Sequence, residues 1–192
     1  MKQLIPLLLI TIWFSAKAQV QSKIEVSKPI IYLEPLFNHT KKTKPAIVYE
    51  RFEEIATIAI DSVFKKDPKK YAIKGKLDAN LSVEEKSAVK SILNQLKRNN
   101  KKQLRNIPFP IHFSKRDSLE NRYGLIAMIT TESAETVYEI AIKKIQLQIL
   151  LINLRNNEIV FYKKSRNLSN GSYAYHVVKN LNQIYRKITI VE

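Results

Sequence analysis

The stretch Tyr123-Gly-Leu-Ile-Ala-Met-Ile-Thr-Thr131 is followed by Ile145-Gln-Leu-Gln-Ile-Leu-Leu-Ile-Asn-Leu154 and then by Ile159-Val-Phe-Tyr162. These are the longest apolar runs after the N-terminal segment, and they are rich in β-branched residues. They therefore predict three strands of a buried sheet. The tetrapeptide Arg155-Asn156-Asn157-Glu158 separates the last two runs and holds two asparagines, which tolerate positive φ. We therefore expect these two runs to form a β-hairpin.

Two shorter strands and a first helix are predicted before this stretch. Pro29–Phe37 reads as a strand bounded by prolines, and Tyr71–Lys74 as a short strand before Gly75. The helix is predicted over Ala46–Phe64, because its apolar residues recur at helical spacing. The predicted inward-facing residues are Val48, Phe52, Ile55, Ala59 and Val63.

Two further helices are predicted from their caps and apolar stripes. The second follows Ser82-Val-Glu-Glu85, which matches a capping box. The last helix follows the turn signal Asn170-Gly171 and uses Ser172 as its N-cap. The apolar stripes consist of Val89, Ile92, Leu93 and Leu96 in the second helix, and of Val177, Leu181, Ile184 and Tyr185 in the last. Ser133–Lys143 fits either a short helix or an extension of the strand at Ile145.

The order of these elements predicts an α+β fold of the α/β-sandwich type. About three amphipathic helices pack on a mainly antiparallel sheet that contains a C-terminal β-hairpin. Since no internal repeat or linker divides the chain, residues 19–192 are expected to form a single α/β domain.

The N-terminal residues 1–18 are predicted to be a secretory signal peptide. Met1-Lys2-Gln3 is a short positive start, Leu4–Phe14 is apolar, and Ala16 and Ala18 occupy the positions that signal peptidase reads. The apolar run is shorter than the roughly 20 residues that span a bilayer, which favours cleavage over a retained anchor. The chain has no cysteine, so disulfides, thiolate metal sites and thiol nucleophiles are excluded. Export without cysteine favours a bacterial envelope, either as a periplasmic or as a secreted protein.

The chain is strongly basic, with 33 Lys and Arg against 17 Asp and Glu and a formal net charge of +16 at pH 7. Most of the positive residues are lysines, which supply hydrated point charges instead of the planar fork that arginine offers to bases and phosphates. This composition fits a solvated surface or a diffuse attraction to an anionic glycan or lipid, and it disfavours nucleic acid. The main basic clusters lie at 41–44, 65–70, 97–102 and 163–166.

The sequence contains no motif with a defined chemistry. The 3 glycines form no phosphate-binding loop, and the 3 histidines have no metal-ligand spacing, so no metal, cofactor or catalytic residue is predicted. The most plausible catalytic group is His112, Ser114, Asp117 and Glu120, a mixture that is usual in polar loops. The carboxylates of Glu50, Glu53 and Glu54 are predicted to lie on the solvent side of the first helix.

Candidate binding residues follow the second helix. In Asn106-Ile-Pro-Phe-Pro-Ile-His112 two prolines bracket a phenylalanine, so this extended segment either presents an edge to a partner or covers an apolar rim of the sheet. It adjoins one of the basic clusters. The candidates are Lys97, Arg98, Lys101, Lys102, Arg105, Phe109 and His112.

The strand at Tyr123-Gly-Leu-Ile-Ala, the variable segment after it and Asn153-Leu-Arg-Asn-Asn-Glu-Ile-Val-Phe-Tyr162 resemble a group of bacterial envelope proteins, the curli-secretion-channel-like and transport-auxiliary lipoproteins. In that group a strand enters an aspartate-glycine hairpin before a C-terminal helix. Here Asn153 stands in place of the aspartate and Asn157 in place of the glycine. The lipobox cysteine is missing, so the resemblance implies an envelope protein without a lipid anchor.

Two classes of function follow from these observations. The first, which the sequence favours, is a non-enzymatic exported envelope protein that acts as an assembly or binding module with a basic surface. Its partner would be an envelope protein or an anionic glycan or lipid surface, with the protein peripheral to the membrane at most. The alternative is a small secreted hydrolase or nuclease that acts on a polyanion, with His112 as base and lysines that steer the substrate.

Overall fold

The computed structural model describes residues 24–40, 45–77, 81–98, 109, 122–133, 142–168 and 172–191. The predicted signal peptide and most of the segment between Ser133 and Lys143 lie outside these residues. The three helices are α1 (Ala46–Lys66), α2 (Val83–Arg98) and α3 (Tyr173–Tyr185). The strands are β1 (Ile24–Val26), β2 (Ile30–Tyr32), β3 (Leu36–Thr40), β4 (Ile73–Lys76), β5 (Tyr123–Ser133), β6 (Ile142–Asn153), β7 (Glu158–Lys164) and β8 (Ile188–Ile190).

These elements form an α+β fold whose main sheet is mixed, which corrects the expectation of a mainly antiparallel sheet. The strand order is β4-β2-β5-β6-β7, and β3 pairs with β5 farther along the same edge as β2. β2, β3 and β4 run parallel to their neighbours, whereas β5, β6 and β7 form an antiparallel meander. The parallel half arises because the chain returns along the sheet through α1 before β4 and through α2 before β5, as parallel connections require.

The helices cover both faces of the sheet. α1 and α3 pack on the face that contains Leu125, Ala127 and Ile129 of β5. α2 packs on the opposite face, against Ile126 and Met128. Successive side chains of a strand point to opposite faces, so a strand buried on both sides reads as a continuous apolar run. This explains why β5 and β6 carry the longest apolar runs of the sequence.

The first predicted strand is interrupted. β2 pairs with Tyr123–Leu125 and β3 with Met128–Glu132, and the residues at 33–35 between them are not in a strand. Glu34 is exposed, and Pro35 lacks the N–H that a continuous ladder needs. β3 then continues to Thr40, beyond the predicted end at Phe37.

The prediction for α1 is partly confirmed, because Phe52, Ala59 and Val63 are partly buried and pack against the core, whereas the fully buried stripe lies one residue farther along. Its buried residues are Tyr49, Ala56, Ile60 and Phe64. Ile55, which was predicted to face the core, is 40% exposed, and Ile58 is 57% exposed. This helix is apolar around much of its circumference, so periodicity alone does not decide which stripe faces the sheet.

The caps of the later helices are confirmed. The Ser82 N–H donates to Glu85 Oε2 at 2.8 Å, and the Glu85 N–H donates to Ser82 Oγ at 3.2 Å, which is the reciprocal pattern of a capping box. Ser172 Oγ likewise accepts from the Tyr175 N–H.

The structure adds a small second sheet that periodicity does not reveal. β1 and β8 pair in parallel, with Ile24 opposite Ile188, and both residues belong to the core below α1 and α3. Three-residue strands are too short to show an alternating pattern in sequence. Within the described residues, no helix is long and apolar enough to cross a membrane.

Candidate functional site

The predicted binding residues are only partly within the described part of the chain. Lys97 and Arg98 are exposed at the C-terminal end of α2. The Lys164 Nζ atom donates to the Lys97 carbonyl oxygen at 3.3 Å, so the fold brings two of the basic clusters together at this helix end. Cations are favoured there by the partial negative charge of the last carbonyl groups. Lys101, Lys102, Arg105 and His112 lie outside the described residues, as does the group His112, Ser114, Asp117 and Glu120.

Phe109 is buried in the sheet's α2-facing core, where it is 1% exposed. Its ring therefore belongs to the same apolar cluster as Leu93 and Leu96 of α2 and is not displayed on the surface. Of the two uses that the sequence offers for this segment, the position of the ring corresponds to covering the apolar rim of the sheet.

A cleft of about 530 Å³ opens beside β3, between α1 and the start of α2. Its floor is the connection at 33–35 and the start of β3, including Phe37. One wall is α1 from Glu53 to Ile58, and the other is the start of α2 with Leu81. The volume lies in the range of ligand-binding pockets, roughly 300–1,000 Å³.

The two walls of this cleft carry opposite charges. Glu53 and Glu54 project from α1, whereas Lys86 and Lys90 project from α2, one helical turn apart. Among the described residues, no ion pair joins the carboxylates of α1 to the ammonium groups of α2. The cleft thus keeps acidic and basic side chains apart on its two sides.

The floor of the cleft is an edge of the sheet. β3 is hydrogen-bonded to β5 along one side, and no other strand of the described chain pairs with it. Exposed isoleucine at position 58 and the partly buried Phe37 add apolar surface beside this edge. The site combines an open strand edge, an apolar lining and two charged walls.

A hydroxyl, an imidazole and a carboxylate meet behind this edge. His39 on β3 lies opposite Thr131 on β5, with its Nδ1 2.6 Å from Thr131 Oγ1. Its Nε2 lies 3.0 Å from Glu53 Oε1 on α1. Because Thr131 is only 1% exposed, a substrate could not reach its hydroxyl. We interpret this group as a tether that holds α1 to the sheet.

Sequence reasoning did not find this tether or the cleft. Glu53 was expected on a solvated face, and its carboxylate is indeed 41% exposed while it contacts a histidine side chain that is 5% exposed. His39 and Thr131 are 92 positions apart, and only the parallel register of β3 on β5 brings them together. No local motif in the sequence encodes that register.

Several tyrosine hydroxyls near the core have altered acidity. Burial raises the pKa of Tyr32 to about 12, and the negative charge of Asp61 adds to the shift. Burial raises the pKa of Tyr173 further, with a contribution from the Glu53 carboxylate. Both groups therefore stay protonated near neutral pH and are not poised as bases.

In the described ranges no three His, Asp or Glu side chains are grouped closely enough to hold a metal ion. No protein-family model matches the chain, and no curated protein matches it.

Solved structures with a coarsely similar arrangement come from bacteria. The PelC dodecamer from Paraburkholderia phytofirmans is 8% identical, with a TM-score of 0.45 and coverage of 88% of this chain and 94% of that one. Lipoprotein GNA1162 from Neisseria meningitidis is 13% identical, with a TM-score of 0.40 and coverage of 83% and 99%. The LpoB C-terminal domain from Salmonella enterica is 11% identical, with a TM-score of 0.32 and coverage of 76% and 86%. The chain is thus similar to these proteins only in the coarse order and placement of its elements.

Proposed function

We propose that this chain is a non-enzymatic exported envelope protein that acts as an assembly or binding module, and that its binding site is the cleft beside β3. The observation that carries the proposal is the open edge of β3 between an acidic and a basic wall. The hydroxyl, imidazole and carboxylate that meet at His39 do not favour a hydrolase, because the Thr131 hydroxyl is sealed in the core.

Export is proposed from the N-terminal sequence. The apolar run Leu4–Phe14 and the small residues before Gln19 are typical of a cleaved signal, and residues 19–192 would then fold as one domain. N-terminal sequencing of the protein recovered from cell-envelope and culture fractions tests this. A mature N-terminus at Gln19 supports export, whereas an intact Met1 in a cytoplasmic fraction contradicts it.

The proposed partner is an envelope protein or an anionic glycan or lipid surface. Exposed cations outside the cleft, such as Lys97 and Arg98, would raise the rate of encounter with such partners through long-range attraction. Nucleic acid is a poor candidate, because lysine predominates over arginine.

The test is binding of the purified protein to peptidoglycan, anionic lipid vesicles, DNA and a pool of random extended peptides across a salt series. Two variants of α1 are compared: Thr57→Trp fills the cleft, whereas Ser62→Trp adds the same ring at an exposed position of the same helix outside it. Binding that persists at moderate salt and is lost only in the Thr57 variant supports the proposal. Binding that is unchanged in both variants and disappears with salt would be non-specific attraction to the charged surface, and it would overturn the proposal.

A further inference from the structure

We propose that the cleft takes an extended segment of a protein partner as an additional strand beside β3, and that basic and acidic side chains alternate along this segment. The inference rests on the proposed function and names the ligand of the same cleft. In strand addition the main chain supplies hydrogen bonds, and alternate side chains supply specificity.

The direction in which the backbone N–H and C=O groups of β3 point can be inferred from those of β2. The Ile30 N–H donates to the Ala72 carbonyl at 2.7 Å, and the Tyr32 carbonyl accepts from the Leu77 N–H at 2.8 Å, so both residues bond away from β5. Their side chains face α1 and α3. β3 runs in the same direction as β2, and Phe37 packs on the same face. By the alternation of a strand, the N–H and C=O groups of Phe37 also point away from β5 and into the cleft.

The chemistry of this edge permits pairing, in contrast to the other edges of the sheet. Edge strands usually carry charges, especially lysine, that discourage contact with another strand. β4 has Lys74 and Lys76 among its four residues, and β7 ends in Lys163 and Lys164. The sequence of β3 is Leu-Phe-Asn-His-Thr, without a lysine, an arginine or a carboxylate. Of these edges, β3 is the one that carries no lysine to discourage a partner strand.

The two walls define which side chains such a strand would present. α1 lies on one face of the sheet and α2 on the other. The side chains of a strand added to β3 would therefore point in turn toward each helix. Basic residues on one side would meet Glu53 and Glu54, and acidic residues on the other would meet Lys86 and Lys90.

The same charges argue against a uniformly anionic ligand in the cleft. A glycan or a lipid headgroup that approached Lys86 and Lys90 would also face the carboxylates of Glu34, Glu53 and Glu54. Like charges in one site are repulsive, and only a ligand that carries both signs on opposite sides satisfies both walls.

The first experiment compares synthetic peptides of identical composition by fluorescence anisotropy. Lys-Glu-Val-Val-Lys-Glu places its lysines on one side of a strand and its glutamates on the other, and it is one residue longer than the five of β3. Lys-Lys-Val-Val-Glu-Glu mixes the charges on both sides in every register. We expect the first peptide to bind roughly tenfold more tightly, and a proline in place of its first valine to abolish binding by removing a donor. Equal binding of the two charge patterns would refute the alternation.

The second experiment reverses the charge of each wall. Glu54→Lys and Lys90→Glu should each lower the affinity for the alternating peptide by roughly threefold to tenfold, because an attractive pair of charges becomes a repulsive one. Glu25→Lys on β1 and Lys179→Glu on α3 are matched controls at exposed positions outside the cleft, and they should leave the affinity unchanged. Equal effects at the four positions would show that only net charge matters.

Hydrogen exchange identifies the paired backbone. The Phe37 N–H should become protected when the alternating peptide binds, and a complex that leaves it unprotected would exclude strand addition. If the Thr57→Trp variant loses binding to a glycan or vesicle while the protein binds neither peptide, the strand inference fails and the binding module stands. If the Thr57→Trp substitution reduces the binding of no ligand, both proposals fail.

Discussion

Phe109 and Asn157 exchange two hydrogen bonds. The Phe109 N–H donates to the Asn157 carbonyl oxygen at 3.2 Å, and Asn157 Nδ2 donates to the Phe109 carbonyl oxygen at 2.6 Å. Asn157 lies in the turn between β6 and β7 with φ of 56°, a left-handed conformation that asparagine tolerates. One residue therefore shapes the turn and fastens Phe109 over the α2-facing core.

The two roles of Asn157 can be separated by substitution. Asn157→Gly keeps the left-handed turn and loses only the side-chain hydrogen bond, so we expect a loss of about 1 kcal/mol in the free energy of unfolding. Asn157→Ala keeps a Cβ in the left-handed region but lacks the polar side chain with which asparagine tolerates that conformation, so it should cost about 1–2 kcal/mol more. Urea unfolding of both variants measures the difference. Equal stabilities would show that the positive φ carries no strain here.

The elements that sequence reasoning predicted well are those with local signals. The asparagine pair at 156 and 157 indicated the turn between β6 and β7, and Ser82 with Glu85 indicated the start of α2. The direction of the strands is not encoded by local sequence signals. Whether β2 runs parallel to β5 depends on how the chain returns through α1 and again after β4 through α2, and a periodic pattern is the same for both directions.

The candidate site was beyond the reach of local patterns for the same reason. Its acidic wall is one turn of α1, its basic wall one turn of α2, and its floor an edge that exists only because β3 has a single neighbouring strand in the described structure. Lys86 and Lys90 do not belong to any of the conspicuous lysine runs. The sequence directed attention to those runs, whose described members lie at and just beyond the C-terminal ends of α1, α2 and β7.

The buried tyrosine hydroxyls differ in whether they have a partner. Tyr162 OH donates to Gln148 Oε1 at 2.7 Å, whereas Tyr185 OH is buried without a hydrogen-bond partner among the described residues. Tyr185→Phe should therefore be neutral or slightly stabilising, while Tyr162→Phe leaves a buried amide oxygen unsatisfied and should cost about 1–3 kcal/mol. Thermal and urea unfolding of the two variants tests this, with Tyr175→Phe at an exposed position as control. A larger loss for the Tyr185 variant would contradict the assignment.

Alkaline pH should destabilise the folded protein by ionising buried tyrosines such as Tyr32. The folded-state pKa of Tyr32 is raised from 10.0 to about 12, mainly by burial, so the protonated form is the one that the fold favours. The corresponding stability is fully present below pH 10.0 and is lost as the pH rises through about 12. Phenolate absorbance and circular dichroism, followed together, should change in one transition. Asp61→Asn removes the nearby negative charge and should move the ionisation of Tyr32 to lower pH.

The tether at His39 can be distinguished from a functional group. Thr131→Val removes the hydroxyl that lies 2.6 Å from His39 Nδ1 while keeping nearly the same shape. We expect it to cost about 1–3 kcal/mol of stability, because a buried polar contact is lost. Thr189→Val, at an exposed position of β8, is the control. Ligand binding by the cleft should be unaffected at temperatures where the variant is folded, and a selective loss of binding would instead place Thr131 in the site.

The close contact between Gly124 and Leu154 gives a packing prediction with an internal control. A Cβ added at Gly124 would lie 2.9 Å from Leu154 Cδ2, a side chain that is 2% exposed, so Gly124→Ala should cost about 1–3 kcal/mol. Gly75→Ala is the matched control, because apart from its two chain neighbours no described residue has an atom within 4 Å of the added carbon, and it should be neutral or slightly stabilising. Leu154→Ala alone opens a cavity and should cost about 2–5 kcal/mol. Since it also removes the clashing carbons, the double variant should lose less stability than the sum of the single losses, by about 1 kcal/mol or more. Strict additivity in urea unfolding would mean that the backbone shifts to relieve the contact, and that Leu154 does not require a glycine at this point of β5.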